Sequence, residues 1–190
     1  MQRLTLAERL SNVAAVPDER FLPVRDASQP AARQVVELVH AEHGQQLWGF
    51  ARRLGLGDEE AGDVIQETFV RLWRACRDGE PPDRPVAWAF RTAYRLAMDR
   101  HRVRRRWLAF VDRQRSPRAD PSEARDELLA VWAEVDRLPE RQRQVLYLRY
   151  RADLTFEDIG KVLGIDASSA RSNSSRGIAS LRDRLAGKDE

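Results

Sequence analysis

The sequence predicts an all-α protein made of two small helical domains joined by a flexible linker. Apolar residues recur at three- and four-residue intervals from 31 to 106 and again from 126 to 187, which is the spacing of one helix face. No segment shows the strict alternation that is typical of a β-strand. Residues 107–125 separate the two stretches and hold two X-Pro pairs, a composition typical of a linker.

Residues 1–30 precede the first domain and are predicted to form an extended or poorly ordered arm. Pro17, Pro23 and Pro30 interrupt helix formation there. The arm has no apolar core followed by a small-residue cleavage site, so it does not resemble a secretory signal. The chain also lacks a run of eighteen apolar residues, so we expect no contact with a membrane and a cytoplasmic location.

Arginine dominates the charge of this chain of 190 residues, whose net charge is +3 and whose pI is about 9.5. Only Lys161 and Lys188 among the 33 basic residues are lysines. Arginine offers a planar donor fork that suits phosphates and guanine edges, although a GC-rich genome would raise its count as well. Cys76 is the single cysteine, which excludes a disulfide within the chain and suits a reducing compartment.

Helix boundaries in the first domain are marked by glycines and prolines. The segment Gly55-Leu56-Gly57 ends the first helical stretch, and Asp58 is predicted to cap the next helix. That helix stops at residues 78–82, which include two prolines. Pro85 then stands at the start of a third helix, where its fixed φ is tolerated.

The helix after Asp58 carries a compact polar face opposite an apolar one. Asp63, Gln66 and Glu67 share the polar face, and the apolar positions are Val64, Ile65, Phe69, Leu72, Trp73 and Cys76. Such a helix resembles a docking surface for another protein. An ordinary surface helix with a solvated polar face is the alternative explanation.

The third helix ends in a dense basic segment with interleaved aromatic residues. Arg91, Arg95, Arg102 and Arg106 fall near one stripe at helical spacing. Basic stripes with aromatics favour nucleic acid, particularly strands with exposed bases. A solvated basic helix end, complementary to the helix dipole, is the alternative.

The second domain contains the pattern of a helix-turn-helix. Pro139 is predicted to begin one of its helices, Thr155 to cap another, and Gly164 to form the tight turn. Asp166 or Ser168 then caps a second helix, which in this motif enters the DNA major groove. Small or hydrogen-bonding residues stand at its start: Ser168, Ser169, Arg171, Ser172, Asn173 and Ser175. A generic helical hairpin is the alternative.

Catalytic constellations are not found in the sequence. It has no phosphate loop, HExxH or nucleophile elbow, so we expect no enzymatic activity and no cofactor. The histidines His40, His43 and His101 have no spacing that suggests a metal site with Cys76.

Taken in order, these segments resemble bacterial RNA polymerase sigma factors of the sigma-70 family, extracytoplasmic-function group. Residues 63–69 closely follow the D-[LV]-[VI]-Q-E-x-F signature of the family's region 2.2. Residues 138–150 follow its region 4.1. The resemblance covers residues 31–106 as region 2 and 126–187 as region 4, and it implies a factor that directs core RNA polymerase to promoters and helps to open the strands.

The resemblance also implies roles for individual residues. The polar face of region 2, with Arg71 beside it, would dock on the clamp helices of the polymerase β′ subunit, and region 4 would meet the β flap. The −10 promoter element would be bound by Trp88, Arg91, Tyr94, Arg95, Arg102, Arg105 and Arg106. The −35 element would be bound by Ser168, Ser169, Arg171, Ser172, Asn173, Ser175 and Arg176. Many relatives are held inactive by an anti-sigma factor, which makes such a protein a candidate partner.

Two segments depart from the family's pattern. Ala93-Tyr94-Arg95 stands where relatives usually have Ala-Arg-Asn, and residues 173–177 replace Arg-Leu-His-Arg-Ala. Ser174 thus occupies a position that is usually apolar, and Gly177 has about 1 kcal/mol lower helix propensity than Ala. We therefore expect Ser174→Leu to raise the melting temperature of the second domain.

Two other functions fit parts of the pattern. A free-standing helix-turn-helix regulator would bind duplex DNA as a dimer without polymerase, with an affinity that falls steeply in salt. A pure interaction protein would occupy polymerase without contacting DNA. Neutralising Arg171 and Arg176 would leave the second kind of protein functional.

Overall fold

The structure is a computed structural model that describes residues 28–111 and 127–186, and within them it contains seven α-helices and no strand. In chain order the helices are α1 (Ser28–Arg53), α2 (Asp58–Arg77), α3 (Pro85–Val111), α4 (Glu127–Asp136), α5 (Glu140–Tyr150), α6 (Phe156–Leu163) and α7 (Ala167–Ala186). Helices α1 to α3 form the first predicted domain and α4 to α7 the second. The all-helical prediction is confirmed.

Two boundaries of the predicted domains differ from the helices. Helix α1 begins at Ser28, so the last three residues of the predicted arm are helical, and Pro30 fits because the first turn has no intrahelical N–H partners. Helix α3 extends to Val111, five residues into the predicted linker. The predictions for residues 1–27 and 112–125 lie outside the described part of the chain.

Two predicted caps are displaced by one residue. Gly57 rather than Asp58 is the N-cap of α2, and its N–H donates to Glu60 Oε2 at 3.1 Å. Pro139 is the N-cap of α5 rather than its first residue. Both residues have extended ψ angles, which end the preceding turn before the helix begins. Pro85 begins α3 as predicted.

The first domain packs its three helices around a core of large apolar side chains. Phe50 of α1 meets Phe90 of α3 edge to face, with ring centroids 5.6 Å apart. Helix α2 contributes Val64 and Leu72, both fully buried, and Thr68, whose hydroxyl donates to the Val64 carbonyl at 2.7 Å. The Thr68 hydroxyl is therefore buried without losing its hydrogen bond.

The second domain packs α7 closely against α5 and α6. The fully buried positions of α7 hold only small residues, Ala170, Ser174 and Gly177, while the larger Ile178 and Leu181 pack at the edge of the core. A Cβ on Gly177 would lie 2.9 Å from Cδ1 of Leu146, which is itself buried in α5. The small side chains thus permit an approach that larger ones would prevent.

The two domains are also in contact with each other. Helix α6 packs on α3, and α5 touches α1, so one continuous apolar core holds residues of both domains. The surfaces expected to bind the two promoter elements therefore belong to one packed body in this structure.

Candidate docking and nucleic-acid interfaces

The polar face of α2 borders a shallow open depression. Asp63 and Gln66 are exposed and Glu67 is half-buried, and all three line the depression. Its remaining lining comes from Val70 of the same helix and from Leu96 and Arg100 of α3. The sequence did not assign Leu96 or Arg100 to this surface, because the pairing of α2 with α3 is a long-range contact. The surface combines carboxylates with the apolar side chains of Val70 and Leu96, so it offers a partner both polar and apolar contacts.

Each carboxylate of this face, Asp63 and Glu67, lies close to an arginine. Glu67 Oε1 accepts a hydrogen bond from Arg71 Nε at 2.7 Å, which lowers the pKa of the Glu67 carboxyl. Arg100 Nη2 lies 3.9 Å from Asp63 Oδ2. Glu67 therefore stays ionised at neutral pH, and the face offers a partner carboxylates that are each paired with an arginine.

Along α3, the residues expected at the −10 element divide between the core and the surface. Trp88 and Tyr94 are half-buried and pack against the core, and Arg91 is half-buried with its Nε atom lacking a hydrogen-bond partner. Arg95 and Arg102 are exposed. Arg105 is exposed as well, whereas the Arg106 side chain lies outside the described part of the structure.

Two other basic residues of α3, His101 and Arg104, point toward the rest of the first domain instead of toward solvent. His101 Nε2 lies 2.7 Å from the Leu54 carbonyl, and its Nδ1 lies 2.8 Å from Arg104 Nη2. Arg104 in turn lies 3.7 Å from Glu60. The basic segment therefore has an outer face for a ligand and an inner face that ties α3 to α1 and α2.

Helices α6 and α7 form the predicted helix-turn-helix. The Asp158 N–H donates to Thr155 Oγ1 at 3.2 Å, and the Thr155 hydroxyl donates to Asp158 Oδ2 at 2.8 Å. Gly164 ends α6 at φ 68°, in the left-handed region that favours glycine. A Cβ on Gly160 would lie 2.7 Å from the Ile165 carbonyl oxygen, so the turn folds directly over this glycine.

Asp166 caps α7, which settles the choice between Asp166 and Ser168. Its carboxylate accepts the Ser169 N–H at 2.6 Å and the Ser168 and Ser169 hydroxyls at 2.6 and 2.8 Å. These bonds hold the pKa of the Asp166 carboxyl well below its usual range. Both serines are therefore engaged within the chain, and DNA would have to share or replace their hydroxyl contacts.

The outer face of α7 is open to solvent. Arg171, Ser172, Ser175 and Arg176 are exposed, whereas Asn173 is half-buried and its Nδ2 donates to the Ser169 carbonyl at 2.8 Å. Arg171 and Arg176 are five residues apart, and both exposed guanidinium groups suit phosphate and base-edge contact.

Phe156, which the sequence did not single out, contacts the guanidinium of Arg171. The Arg171 guanidinium lies 5.2 Å from the Phe156 ring centroid, and that of Arg149 lies 5.4 Å from the same ring. Glu157 lies 3.9 Å from Arg171. The aromatic ring thus joins α5 and α7 through two cation–π contacts.

Among the residues that the structure describes, no helix combines the length and hydropathy needed to cross a membrane. The same residues contain no cluster of three or more His, Cys, Asp or Glu side chains placed to hold a metal ion.

Two family comparisons match the two domains. Residues 39–107 match sigma-70 region 2, and residues 135–183 match sigma-70 region 4. The ECF RNA polymerase sigma factor SigE of Mycolicibacterium smegmatis is 34% identical over 158 residues, 79% of this chain and 61% of SigE. The RNA polymerase sigma factor CarQ of Myxococcus xanthus is 30% identical over 175 residues, 88% of this chain and 94% of CarQ.

Solved structures show a similar fold. A structure of CnrH in complex with the cytosolic domain of CnrY has a TM-score of 0.53 and 24% identity, covering 85% of this chain and 99% of that one. The sigma factor RpoE from Bartonella quintana, in complex with the anti-sigma factor NepR, has a TM-score of 0.59 and 20% identity over 82% of this chain and 94% of RpoE.

Proposed function

The chain belongs to the extracytoplasmic-function group of the sigma-70 family and directs RNA polymerase to promoters, and we propose that it divides this task among three surfaces. The docking face of α2 holds core polymerase, the outer face of α3 binds the −10 element, and the outer face of α7 binds the −35 element. The observation that carries the proposal is the exposed pair Arg171 and Arg176 on the second helix of a capped helix-turn-helix.

Core polymerase docking is supported by the charge and shape of the α2 face. Asp63 and Gln66 are exposed, and Glu67 is kept ionised by Arg71, beside an apolar floor that includes Leu96. We assign this face to the β′ clamp helices, and region 4 to the β flap.

Recognition of the −10 element is assigned to α3 because its outer arginines can follow a DNA backbone. Arg95, Arg102 and Arg105 are exposed on this helix and can reach phosphates. Trp88 and Tyr94 supply aromatic faces for unstacked bases. Binding unstacked bases better than stacked ones would favour strand opening.

The polymerase supplies the chemistry, and the chain supplies promoter specificity. Because both DNA-binding surfaces are fixed on one polymerase, binding of one promoter element raises the effective concentration of the other element near its own surface. The chain therefore needs no catalytic residue, and it acts in the cytoplasm with core polymerase. The comparisons do not favour a free-standing regulator that binds duplex DNA by itself.

An anti-sigma factor is a further proposed partner. RpoE is bound to the anti-sigma factor NepR in its solved structure. Exposed large apolar side chains on both domains would suit a partner that contacts both, namely Leu38, Trp48, Val103, Val131 and Tyr150.

Polymerase binding tests the docking assignment directly. The double variant Asp63→Ala/Gln66→Ala should bind purified core polymerase about tenfold or more weakly in fluorescence anisotropy, because it removes the exposed part of the docking face. The matched control is Glu42→Ala/Gln45→Ala, which changes an exposed acid and amide on α1. Equal affinity of both double variants would rule out this face as the polymerase contact.

A further inference from the structure

Helix α1 has an outer face opposite the face that it buries in the core. Ala32, Val39 and Leu47 point into the core and are buried. Leu38 and Trp48 lie on the opposite side of the helix, where 56% of Leu38 and 42% of Trp48 is exposed. A surface helix usually carries polar and charged side chains opposite its core face, so the outer face of α1 differs from an ordinary solvated surface.

The outer face carries a continuous uncharged stripe with regular spacing. Its positions follow one another at alternate steps of three and four residues, which keeps them in one line along the helix. All six are exposed, and we call them the outer stripe: Ala31, Gln34, Leu38, Ala41, Gln45 and Trp48. Charged residues make up 33% of the chain, yet none stands in the outer stripe. The same alternation of steps forms the seam along which two helices pack in a coiled coil.

A segment with the same spacing precedes α1 in the chain. It belongs to residues 1–27, which lie outside the described part of the structure, and it has Leu6, Leu10 and Val13 at steps of four and three residues. These steps predict one apolar face if the segment forms a helix. The arm therefore supplies an apolar helix face that can match the outer stripe.

An antiparallel arrangement aligns the arm with α1. Read in opposite directions, the two segments have the same succession of three- and four-residue steps. The resulting pairs are Leu6 with Gln45, Leu10 with Ala41, Val13 with Leu38 and Arg3 with Trp48. The last pair is favourable as well, because a guanidinium can lie over an indole ring. Both large exposed apolar residues of the outer stripe thus receive a partner in a single register.

We propose that residues 3–13 form a helix that packs antiparallel on the outer stripe of α1 and covers it in the free protein. The connection is long enough, because Leu38 lies about 15 Å from Ser28 along α1 and the residues between Val13 and Ser28 can span up to about 45 Å. The tether gives the arm an effective concentration on the order of millimolar, so even a weak helix pairing is populated. This inference goes beyond the proposed function and does not depend on it.

The outer stripe suits the arm better than it suits a second copy of α1. Two outer stripes packed together would bury Gln34 and Gln45 of both copies, and a buried amide without a hydrogen-bond partner destabilises a contact. The arm brings leucine and valine to the contact and adds no amide. It is also held beside α1 by the chain itself, whereas a second copy has to be bound from solution.

A covered stripe also affects other partners of the chain, such as the proposed anti-sigma factor. A partner that contacts Leu38 and Trp48 would first have to displace the arm. The apparent affinity of that partner falls in proportion to the fraction of molecules in which the outer stripe is free. The arm would therefore act as a competitor that is built into the chain.

Paramagnetic broadening in the full-length chain tests this proposal. A nitroxide is attached at Ser11→Cys in a Cys76→Ala background, because Cys76 is the single cysteine. Ser11 lies outside the three apolar positions of the arm, so the label leaves the contact intact. Docking predicts strong broadening of the α1 amide resonances between Leu38 and Glu42, relative to the same sample after the nitroxide has been reduced.

Charged residues in the arm should release it from α1. Leu6→Glu/Leu10→Glu should lower the docked-to-undocked ratio about tenfold or more, because two carboxylates would face an apolar surface. Thr5→Glu/Asn12→Glu is the matched control, since it adds the same charge at positions outside the apolar set. The control should retain the broadening.

The contact can also be broken from the side of α1. Leu38→Glu should remove most of the broadening, whereas Leu38→Met keeps an apolar side chain and should retain it. Leu38 is exposed, so neither substitution should unfold the first domain, and helical circular dichroism verifies this.

Three results would overturn the proposal. The first is a labelled chain in which no α1 amide is broadened, and the second is equal broadening in the arm variant and its matched control. The third is broadening in a mixture of isotope-enriched chain without nitroxide and nitroxide-bearing chain without isotope, which would assign the contact to a second copy. The measurement needs neither polymerase nor promoter DNA, so it decides the docking of the arm even if the proposed function fails.

Discussion

The phenolic hydroxyl of Tyr147 donates a hydrogen bond to the main-chain carbonyl of Gln46, 101 positions earlier in the chain, at 2.9 Å. This bond crosses from the second domain to the first, beside the Arg53–Asp136 ion pair. Burial raises the pKa of Tyr147, and nearby Arg53 and Arg151 oppose that effect only partly. The packing of the two domains is therefore linked to the protonation of the Tyr147 hydroxyl.

Alkaline pH should weaken the domain contact through Tyr147. A pKa raised in the folded state means that the neutral phenol stabilises the fold, fully below the ordinary value near 10, and that this contribution is lost as pH rises through the higher folded pKa. Thermal melts from about pH 8 to about pH 11 should show a steeper loss for the parent than for Tyr147→Phe. Parallel loss in the two proteins would contradict the assignment.

Gly160→Ala should disable the helix-turn-helix. Its Cβ would meet the Ile165 carbonyl oxygen at 2.7 Å, and backbone cannot move aside as a flexible side chain can. We expect a cost of about 1–3 kcal/mol in the free energy of unfolding, measured by urea denaturation. Gly62→Ala is the control, because nothing lies within 4 Å of its added Cβ, and this variant should be neutral or more stable.

Ser174→Leu should lower the melting temperature, the reverse of the expectation from sequence. Ser174 is 3% exposed between Ala170 and Gly177 on the face of α7 that packs against α5 and α6. A leucine there would overpack by about 1–3 kcal/mol, which exceeds its helix-propensity gain of a few tenths. The same substitution at exposed Ser175 should change the melting temperature little. A higher melting temperature for Ser174→Leu would restore the first interpretation.

Phe156→Leu should weaken −35 recognition without unfolding the second domain. It keeps an apolar side chain but removes the ring that holds Arg171 and Arg149. Loss of a cation–π contact worth about 0.5–1 kcal/mol predicts a two- to fivefold drop in transcription from a cognate promoter. Phe156→Tyr keeps the ring and should retain transcription near the parent level. Equal losses in both variants would show that Arg171 does not depend on the ring.

Features that depend on residues close together in the chain could be predicted from the sequence. Contacts between residues far apart in the chain could not. Helix spacing, the Thr155 cap and the Gly164 turn follow from neighbours within a few residues, and all three were predicted. Domain packing depends on pairs such as Arg84 with Asp158, whose separation of more than seventy residues leaves no periodic signal. The packing of α7 is also long-range: Ser174 is buried one turn before Gly177, and the close approach of Leu146 to Gly177 leaves no signal in the sequence.

Run-off transcription with purified core polymerase shows whether this chain directs polymerase to promoters. Adding the chain to polymerase on a genomic DNA library should produce discrete new start sites that share two spaced upstream elements. Arg171→Ala/Arg176→Ala should abolish those starts, while Arg182→Ala, an exposed arginine farther along α7, should preserve them. Absence of new starts, combined with dimeric binding of the chain alone to duplex DNA, would show that the chain acts as a free-standing regulator and not through polymerase.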